Sequence, residues 1–444
     1  MLSPYALHDP KTWLAVTLIG GLMAGCGEVT GVDADAEPPA ETDAQTGTGD
    51  AGDPEPGVLD AGESDVCEPE SSVCEDGAER ICDEDGAWGE PRDCALACDE
   101  EGLRCLDIEP SNGLGAFWDE AAESLALELP DGATIDTSTG AIIAAGESIP
   151  LSGTVVDAPE GGADVRVYPV ASLEVTGEVV VSGEPAIAFV ADGDVDLDGI
   201  IRVRGEGDAG PGSLSDGTGE PGESEQCNLP DVDLRSGGIG GAGFGAEGGA
   251  GGDAGSFEGG AGGPEAGSEE LVPLRGGSGT RAGGAVQIVS RKQVVVQPGA
   301  AVDAGAGEPE GSGPGSSGGG ILLEAPRVVL AGDAALAANG AGGGCISPES
   351  APEAGRLDDQ PAAGCVTDDP TLHGDGGHGG AGDQPAGGPG ESTEGFCPAL
   401  GGSGGGAAGR IRINTYESGF EASDASILSP TPSFGAIGVI EVAP

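Results

Sequence analysis

The chain has 444 residues, of which 37% are hydrophobic and 3% aromatic, and glycine and proline occupy 89 and 33 positions. This composition excludes a conventional globular core of leucine and aromatic side chains over most of the length. Acidic residues outnumber basic residues 78 to 16, and the formal net charge of −62 repels nucleic acid and attracts cations such as Ca²⁺. A role in nucleic-acid binding is therefore excluded.

The N-terminal residues carry an export signal. The apolar run from Trp13 to Met23 has the length of a signal-peptide core and is too short to span a bilayer. Ala24 and Gly25 then precede Cys26, which resembles the lipobox of bacterial lipoproteins. The resemblance implies that residues 1–25 are a lipoprotein signal peptide and that Cys26 carries the lipid that anchors the protein to a membrane. The alternative is an ordinary cleaved signal peptide with an incidental cysteine.

The cysteine count supports lipidation of Cys26. The chain has 11 cysteines, and removing Cys26 leaves an even number, as a disulfide framework in an oxidising compartment requires. Gly27, rather than aspartate, follows the cysteine, which is compatible with export to the bacterial outer membrane and the cell surface. Residues 26–66 contain acidic residues but no lysine or arginine, and they are predicted to form a disordered, self-repelling tether.

A small disulfide-rich module is predicted at residues 67–106. Six cysteines fall in this segment, which has too little apolar content to fold on a core alone: Cys67, Cys74, Cys82, Cys94, Cys98 and Cys105. Three disulfides are expected, and the spacing leaves the pairing open. A zinc site that uses the closely spaced Cys94 and Cys98 is the competing interpretation.

Residues 107–162 are interpreted as a segment that leads into and caps the next domain. The stretch "FWDEAAESLALEL" around Trp118 is predicted to be one helix, and Gly132–Ile149 is predicted to be a β segment.

Residues 163–444 are predicted to form a parallel β-solenoid. Five segments share one template of three short alternating strands separated by polar corners, and they begin at Ala163, Ala186, Ala285, Gly320 and Gly409. Equivalent positions hold small aliphatic residues that should point inward and stack: Val195 and Leu197, Val294 and Val296, and Val328 and Leu330. Aliphatic stacks of this kind make a core without aromatic residues.

This arrangement, with glycine-rich coil starts such as "GSSGGGILLEAPRVVL", resembles the glycine-rich parallel β-helix surface lipoproteins of Gram-negative bacteria, which are related in architecture to the pectin-lyase-like fold. The resemblance implies an all-β fold. Its motif is architectural rather than catalytic.

Two glycine-rich insertions, at about 205–284 and 340–409, interrupt the solenoid. They are either flexible excursions or close-packed extended chains, and they are expected to lie side by side because each follows the third strand of a repeat. Four cysteines lie in them, and two disulfides are expected. Cys345 with Cys365, and Cys227 with Cys397, are suggested as pairs without a spacing argument to decide.

The strongest candidate metal site is the stretch "DGDVDLDG". Asp194, Asp196 and Asp198, followed by Gly199, match the opening of a calcium-binding loop. Gly205 occupies the position where the loop needs its bidentate glutamate, so the favoured interpretation is a solvated strand face, and no cofactor is required. His373 and His378 could share a metal only if their glycine-rich loop folded back on itself.

Catalysis has little support in the sequence. Pectin-lyase-like enzymes combine acidic calcium ligands with a basic residue, and the comparable cluster is Asp194 and Asp196 with Arg202 and Arg204. The sequence therefore predicts a lipid-anchored cell-envelope protein with a structural, adhesive or binding role, which contacts the membrane through its lipid and takes envelope glycans or another cell surface as partner. The alternative is a polysaccharide-binding protein, lyase or hydrolase of the β-helix kind, with or without a dependence on calcium.

Overall fold

Residues 67–441 are described by the computed structural model, except residues 70, 95, 99–102, 226–234, 347 and 395–398. They belong to one compact unit. The predicted signal peptide, Cys26 and the tether lie outside the described residues, as do Cys227 and Cys397.

The cysteine-rich segment is a three-stranded antiparallel meander stapled by disulfides. Its strands are β1 Ser72–Glu75, β2 Ala78–Ile81 and β3 Arg92–Asp93. Asp76 and Gly77 make the tight turn between β1 and β2 with positive φ angles of 53° and 79°. Disulfides join Cys67 to Cys82, Cys74 to Cys98 and Cys94 to Cys105. Cross-links take the place of a core in so short a segment.

The segment after the module contains one helix and several strands. Its elements are β4 Leu106–Glu109, 3₁₀ turns at Ser111–Phe117, α1 Trp118–Glu123, β5 Ala126–Leu129, β6 Ala133–Asp136, β7 Ala141–Ala144, β8 Glu147–Ile149 and β9 Thr154–Val156. The prediction of one helix from Phe117 to Leu129 is wrong in its second half, because "ALEL" becomes β5. Its alternating residues give Leu127 and Leu129 to the solenoid core. The prediction of β structure at Gly132–Ile149 is confirmed by β6 to β8.

Five stacked coils, each of three short parallel strands, form the body of the protein. The first coil consists of β10 Val165–Val170, β11 Ser172–Val175 and β12 Glu178–Ser182, and the second of β13 Ala186–Ala191, β14 Val195–Leu197 and β15 Ile200–Arg202. The third consists of β18 Ala285–Ser290, β19 Gln293–Val296 and β20 Ala301–Asp303, and the fourth of β21 Gly320–Ala325, β22 Arg327–Leu330 and β23 Ala335–Ala337. The fifth consists of β27 Arg410–Thr415, β28 Phe420–Ala422 and β29 Ile427–Ser429. The insertions carry β16 Ser224–Glu225, β17 Arg235–Ser236, β24 Pro348–Ser350, β25 Val366–Thr367 and β26 Ala399–Leu400. Two strands, β30 Ser433–Ala436 and β31 Gly438–Glu441, end the described chain.

The register of the coils is the one that the aliphatic pattern predicts. On the second face, formed by β5, β11, β14, β19, β22 and β28, Val195 pairs with Val294 and Val294 with Val328. Leu197, Val296 and Leu330 align in the same way and are buried. The predicted all-β solenoid is therefore confirmed, and its interior consists of ladders of small aliphatic residues.

The first face, formed by β9, β10, β13, β18, β21, β27 and β30, is buried on both sides. All six residues of β13 are buried, and so are those of β18 and β21. The inner side contributes to the solenoid core, whereas the outer side packs under Leu114, Trp118 and Leu271. The segment after the module and the first insertion thus cover this face together.

The third face, formed by β6, β12, β15, β20, β23 and β29, is extended by the antiparallel strands β7 and β8. β31 returns to pair antiparallel with β4, next to the disulfide module. Parallel strands exposed at the end of a solenoid would pair with other chains, and the antiparallel strands β7 and β8 end the stacking of the third face on its N-terminal side.

The glycine-rich insertions are close-packed extended chains rather than flexible excursions. The clearest case is segment 400–409. Its successive N–H groups point in three directions in turn, so that every third residue donates to the same neighbouring segment. Gly401, Gly404 and Ala407 donate to the carbonyls of Ser236, Ile239 and Ala242; Gly402, Gly405 and Ala408 donate to those of Glu391, Gly388 and Pro385; and Ser403, Gly406 and Gly409 donate to those of Gly344, Ala341 and Ala338. A step of three residues is that of a polyproline II-type chain.

Three further segments donate to the carbonyls of 400–409, so that six chains surround it. Gly374, Gly377 and Gly380 donate to Leu400, Ser403 and Gly406; Gly245, Gly249 and Gly252 donate to Ala408, Gly405 and Gly402; and Gly315 and Gly318 donate to Gly404 and Ala407. The two insertions therefore lie against each other, as their position in the repeats predicts. We call this array the glycine lattice. A Cβ at Gly405 would lie well inside 3.0 Å of the His378 carbonyl oxygen, which explains why glycine occupies this position.

Candidate binding surfaces

The three candidate calcium ligands lie on the outer side of the second face. Asp196 is exposed in the middle of β14, while its neighbours Val195 and Leu197 are buried. Asp194 and Asp198 flank the strand and are also exposed. The Asp196 carboxylate accepts a hydrogen bond of 2.9 Å from Gln297 on the next coil. Among the described residues, these carboxylates do not form a group of three within 4.8 Å of one another. The arrangement is that of a solvated strand face.

The two histidines are parts of the glycine lattice. His378 is exposed, its Nδ1 lies 3.1 Å from the Gly379 carbonyl, and its own carbonyl accepts the Gly388 N–H. His373 is half-buried, and its Nδ1 has no hydrogen-bond partner in the described part of the chain. Neither imidazole belongs to a described group of three potential metal ligands.

Arg202 and Arg204 lie on the third face, away from Asp194 and Asp196. Arg202 contacts Glu178 and Glu206 at 3.4 Å each, and its Nε lies 3.7 Å from Asp303. Arg204 contacts the buried Asp303 carboxylate at 3.0 Å and donates to the Gly355 carbonyl at 2.6 Å. The acid–base cluster suggested by the sequence is therefore not assembled, because the two strands occupy different faces of the coil. Arg202 instead connects its coil to both neighbouring coils, and Arg204 connects it to the next coil and to the second insertion.

The cysteine sulfurs of the module form a cluster without being metal ligands. The Sγ atoms of Cys74, Cys94 and Cys98 lie within 4.8 Å of one another. Each is bonded in a disulfide, whereas zinc requires free thiolates, so the disulfides replace the zinc interpretation. In the second insertion Cys345 is joined to Cys365.

A cavity of about 890 Å³ lies where the first insertion leaves the solenoid. Val180–Pro185 on the third face and Asp208–Gly210 in the insertion line it, together with Asp164 and Glu206. The four carboxylates around it, Asp164, Glu184, Glu206 and Asp208, are exposed. Arg204 also lines the cavity, but Asp303 neutralises its charge. The opening thus presents acidic groups and backbone amides.

Eight arginines are held in ion pairs with carboxylates. A hydrogen bond from Arg275 lowers the pKa of Asp216, and hydrogen bonds from Arg356 and Arg327 lower the pKa values of Asp358 and Glu421. These carboxylates therefore stay ionised well into acid. Basic residues are scarce and about half of those described are paired, so a group of exposed basic residues without carboxylate partners distinguishes a region of this acidic surface.

A scan against protein-family models finds no match, and searches of curated proteins and of solved structures also find no match. The function is therefore argued from this chain alone. None of the helices in the described residues has both the length and the apolar character needed to cross a bilayer.

Proposed function

We propose that this protein is an exported lipoprotein, anchored to the bacterial cell envelope through Cys26, with a structural, adhesive or binding role and no catalytic activity. We also propose that it is related to the glycine-rich parallel β-helix surface lipoproteins of the pectin-lyase-like architecture. The lipobox-like residues before Cys26 and the acidic tether at 26–66 support this assignment. We propose the outer membrane or cell surface as its location, because Gly27 rather than aspartate follows Cys26.

The observation that carries the proposal is the cross-linked, hydrogen-bonded build of the body. The described residues contain four disulfides, and disulfides form and persist in oxidising compartments, which supports export. The coils and the glycine lattice satisfy backbone hydrogen bonds in several directions, which gives a rigid body from small side chains. A rigid body that follows an acidic tether would be held away from the membrane, together with any binding surface that it carries.

Metabolic labelling with palmitate and mass spectrometry of the mature N-terminus test the anchor. We expect a lipid-modified N-terminal Cys26 and recovery of the protein with membranes. Cys26→Ser should abolish labelling and release the protein, whereas Cys345→Ser in the body should leave labelling unchanged. An unmodified Cys26, or a mature chain that begins elsewhere, would contradict the proposal.

The second candidate function is polysaccharide binding or cleavage, and the cavity of about 890 Å³ favours it. Clefts of this size accommodate small organic ligands, and exposed carboxylates accept hydrogen bonds from sugar hydroxyls. A glycan array with and without Ca²⁺, together with an assay of reducing-sugar release, separates binding from turnover. Loss of glycan binding in Asp208→Asn, but not in Glu174→Gln on the second face, would place the ligand in this cavity. Reducing-sugar release that disappears in Asp208→Asn, but not in Glu174→Gln, would favour the enzyme.

A further inference from the structure

A second cleft, of about 550 Å³, lies where the disulfide module meets one corner of the solenoid. The module contributes Arg92 and Leu106, with the neighbouring Asp107. The solenoid contributes residues of three successive coils, all near the corner between the first and second faces: Asp192, Arg291, Lys292, Gln293 and Arg327. Because both parts form the walls, the cleft exists only when the module is docked on the coils.

Four basic residues line this cleft in a chain with only 16 lysines and arginines. Two of the four are already paired. Arg291 contacts Asp107 at 2.8 Å and Asp192 at 2.6 Å, and its guanidinium lies 4.5 Å from the centre of the Trp118 ring. Arg327 contacts Glu421 with two nitrogens at 3.0 and 3.1 Å. These ion pairs hold the walls of the cleft in place, and in each pair the arginine charge is neutralised by a carboxylate.

The other two basic residues are unpaired. Lys292 and Arg92 are exposed, and within the described part of the chain neither side chain has a carboxylate partner. Glu79 lies opposite Arg92 in the pairing of β2 with β3, but it makes no bond to it. The Lys292 backbone is held in place, because its N–H donates to Ser290 Oγ at 3.0 Å.

Gln293 supplies a third donor. Its Oε1 accepts a hydrogen bond of 3.1 Å from Arg327, which identifies the oxygen and leaves the amide N–H groups facing other partners. An ammonium, a guanidinium and an amide N–H₂ group therefore face one cleft. The ammonium of Lys292 and the guanidinium of Arg92 are positively charged donors without acceptor atoms, so they repel cations and attract anions.

We infer that this cleft binds the anionic group of a small ligand, such as a phosphate or a carboxylate carried by a saccharide. Lys292 and Arg92 contact the anion, and Gln293 donates to it or to an adjoining hydroxyl. Arg291 and Arg327 are positioning residues that hold the walls through their carboxylate partners. A protein with a net charge of −62 repels anions over most of its surface, so this cleft would direct them to one place. The inference is independent of the lipid anchor and concerns a different cavity from the glycan alternative.

The test is isothermal titration calorimetry of the purified mature protein with inorganic phosphate, glucose 6-phosphate and glucose. We expect phosphate and glucose 6-phosphate to bind in the millimolar range or tighter, more weakly at high salt, and glucose not to bind in this cleft. Lys292→Gln and Arg92→Gln should each weaken phosphate binding about tenfold. Arg80→Gln is the matched control, because Arg80 is an exposed arginine of the same module outside the cleft.

The comparison of the two anions identifies the ligand. Tighter binding of glucose 6-phosphate than of phosphate would show that the sugar contributes, whereas equal affinity would show that the anion alone is bound; both support the site. The inference is overturned by no saturable binding of either anion, or by equal effects of Lys292→Gln, Arg92→Gln and Arg80→Gln. Thermal melts of each variant show that the fold is retained, as expected for exposed residues.

Discussion

Tyr168 is a polar residue in an otherwise apolar interior. Its side chain is fully buried, and its ring lies 5.9 Å from that of Phe189 on the next coil. The hydroxyl has no hydrogen-bond partner among the described residues. A buried hydroxyl without a partner loses its contacts with water and gains none in return. The residue therefore contributes area to the core at some cost from its oxygen.

Replacing Tyr168 with phenylalanine should stabilise the protein. Burial raises the pKa of Tyr168 from its ordinary value of 10 to about 12. The neutral phenol is thus favoured in the folded state, so the stabilisation from this shift is complete below pH 10 and is lost as the pH rises towards 12. Tyr168→Phe should remove this alkaline loss and add about 1 kcal/mol at neutral pH.

Urea unfolding of both proteins at neutral and alkaline pH measures the difference, with Tyr416→Phe as the control. A less stable Tyr168→Phe variant would mean that the hydroxyl is bound, for example by an internal water.

Glycine at position 405 is required by space rather than by backbone angle. The Gly405→Ala methyl group would collide with the His378 carbonyl, which is backbone and cannot move aside alone. We expect a loss of about 3 kcal/mol or more in the free energy of unfolding. Gly115→Ala is the control, since its nearest neighbour, Pro110 Cδ, would lie at an ordinary 3.6 Å. Similar melting temperatures for the two variants would contradict the close packing around residue 405.

At the scale of single elements, the sequence predicts the coils well because their side chains alternate. Val195, Val294 and Val328 could be aligned from sequence, and the structure pairs them. The predicted helix around Trp118 is too long. The residues "ALEL" fit the period of a helix as well as that of a strand, and burial of Leu127 and Leu129 in the solenoid core favours the strand.

The packing of the insertions could not be decided from sequence. Glycine has no side chain to show which face is buried, so the two interpretations stayed open. The signal that could have decided is the Gly-Gly-X repeat of residues 237–242 and 248–253, which has a period of three residues. The cleft with Lys292 was missed for another reason. Its adjacent basic pair is visible in the sequence, but Arg92 reaches it only through the docking of the module.

The two sides of one strand should respond differently to the same substitution. Val294 is fully buried in the solenoid core, and the next residue, Val295, points to the opposite side and is only half-buried. Val294→Ala should lower the free energy of unfolding by about 2 kcal/mol through lost burial and a cavity. Val295→Ala should cost clearly less. Equal losses in urea unfolding would show that the strand does not have the inward register described here.

At the scale of the whole molecule, the glycine lattice connects coils that are distant in sequence. The first insertion joins the second coil to the third, and the second insertion joins the fourth to the fifth. Hydrogen bonds between them, such as those from Gly249 and Gly252 to Gly405 and Gly402, cross-connect the two pairs of coils. A simple solenoid contacts only its nearest neighbours and unfolds progressively. The lattice should make this body unfold as one larger unit.

Hydrogen exchange followed by mass spectrometry tests this cooperativity. In the wild-type protein, peptides from 236–252 and 401–409 should exchange about as slowly as the coil strands, since all N–H groups of 401–409 and most of those of 236–252 are hydrogen-bonded. Gly405→Ala should accelerate exchange in both peptides, although they are far apart in sequence, and leave the disulfide module at residues 71–94 unchanged. Acceleration confined to 401–409 would mean that the insertions are stable independently of each other. Rapid exchange of the wild-type lattice would instead show that the insertions are flexible chains. The body would then lack the rigidity on which the proposed envelope role depends.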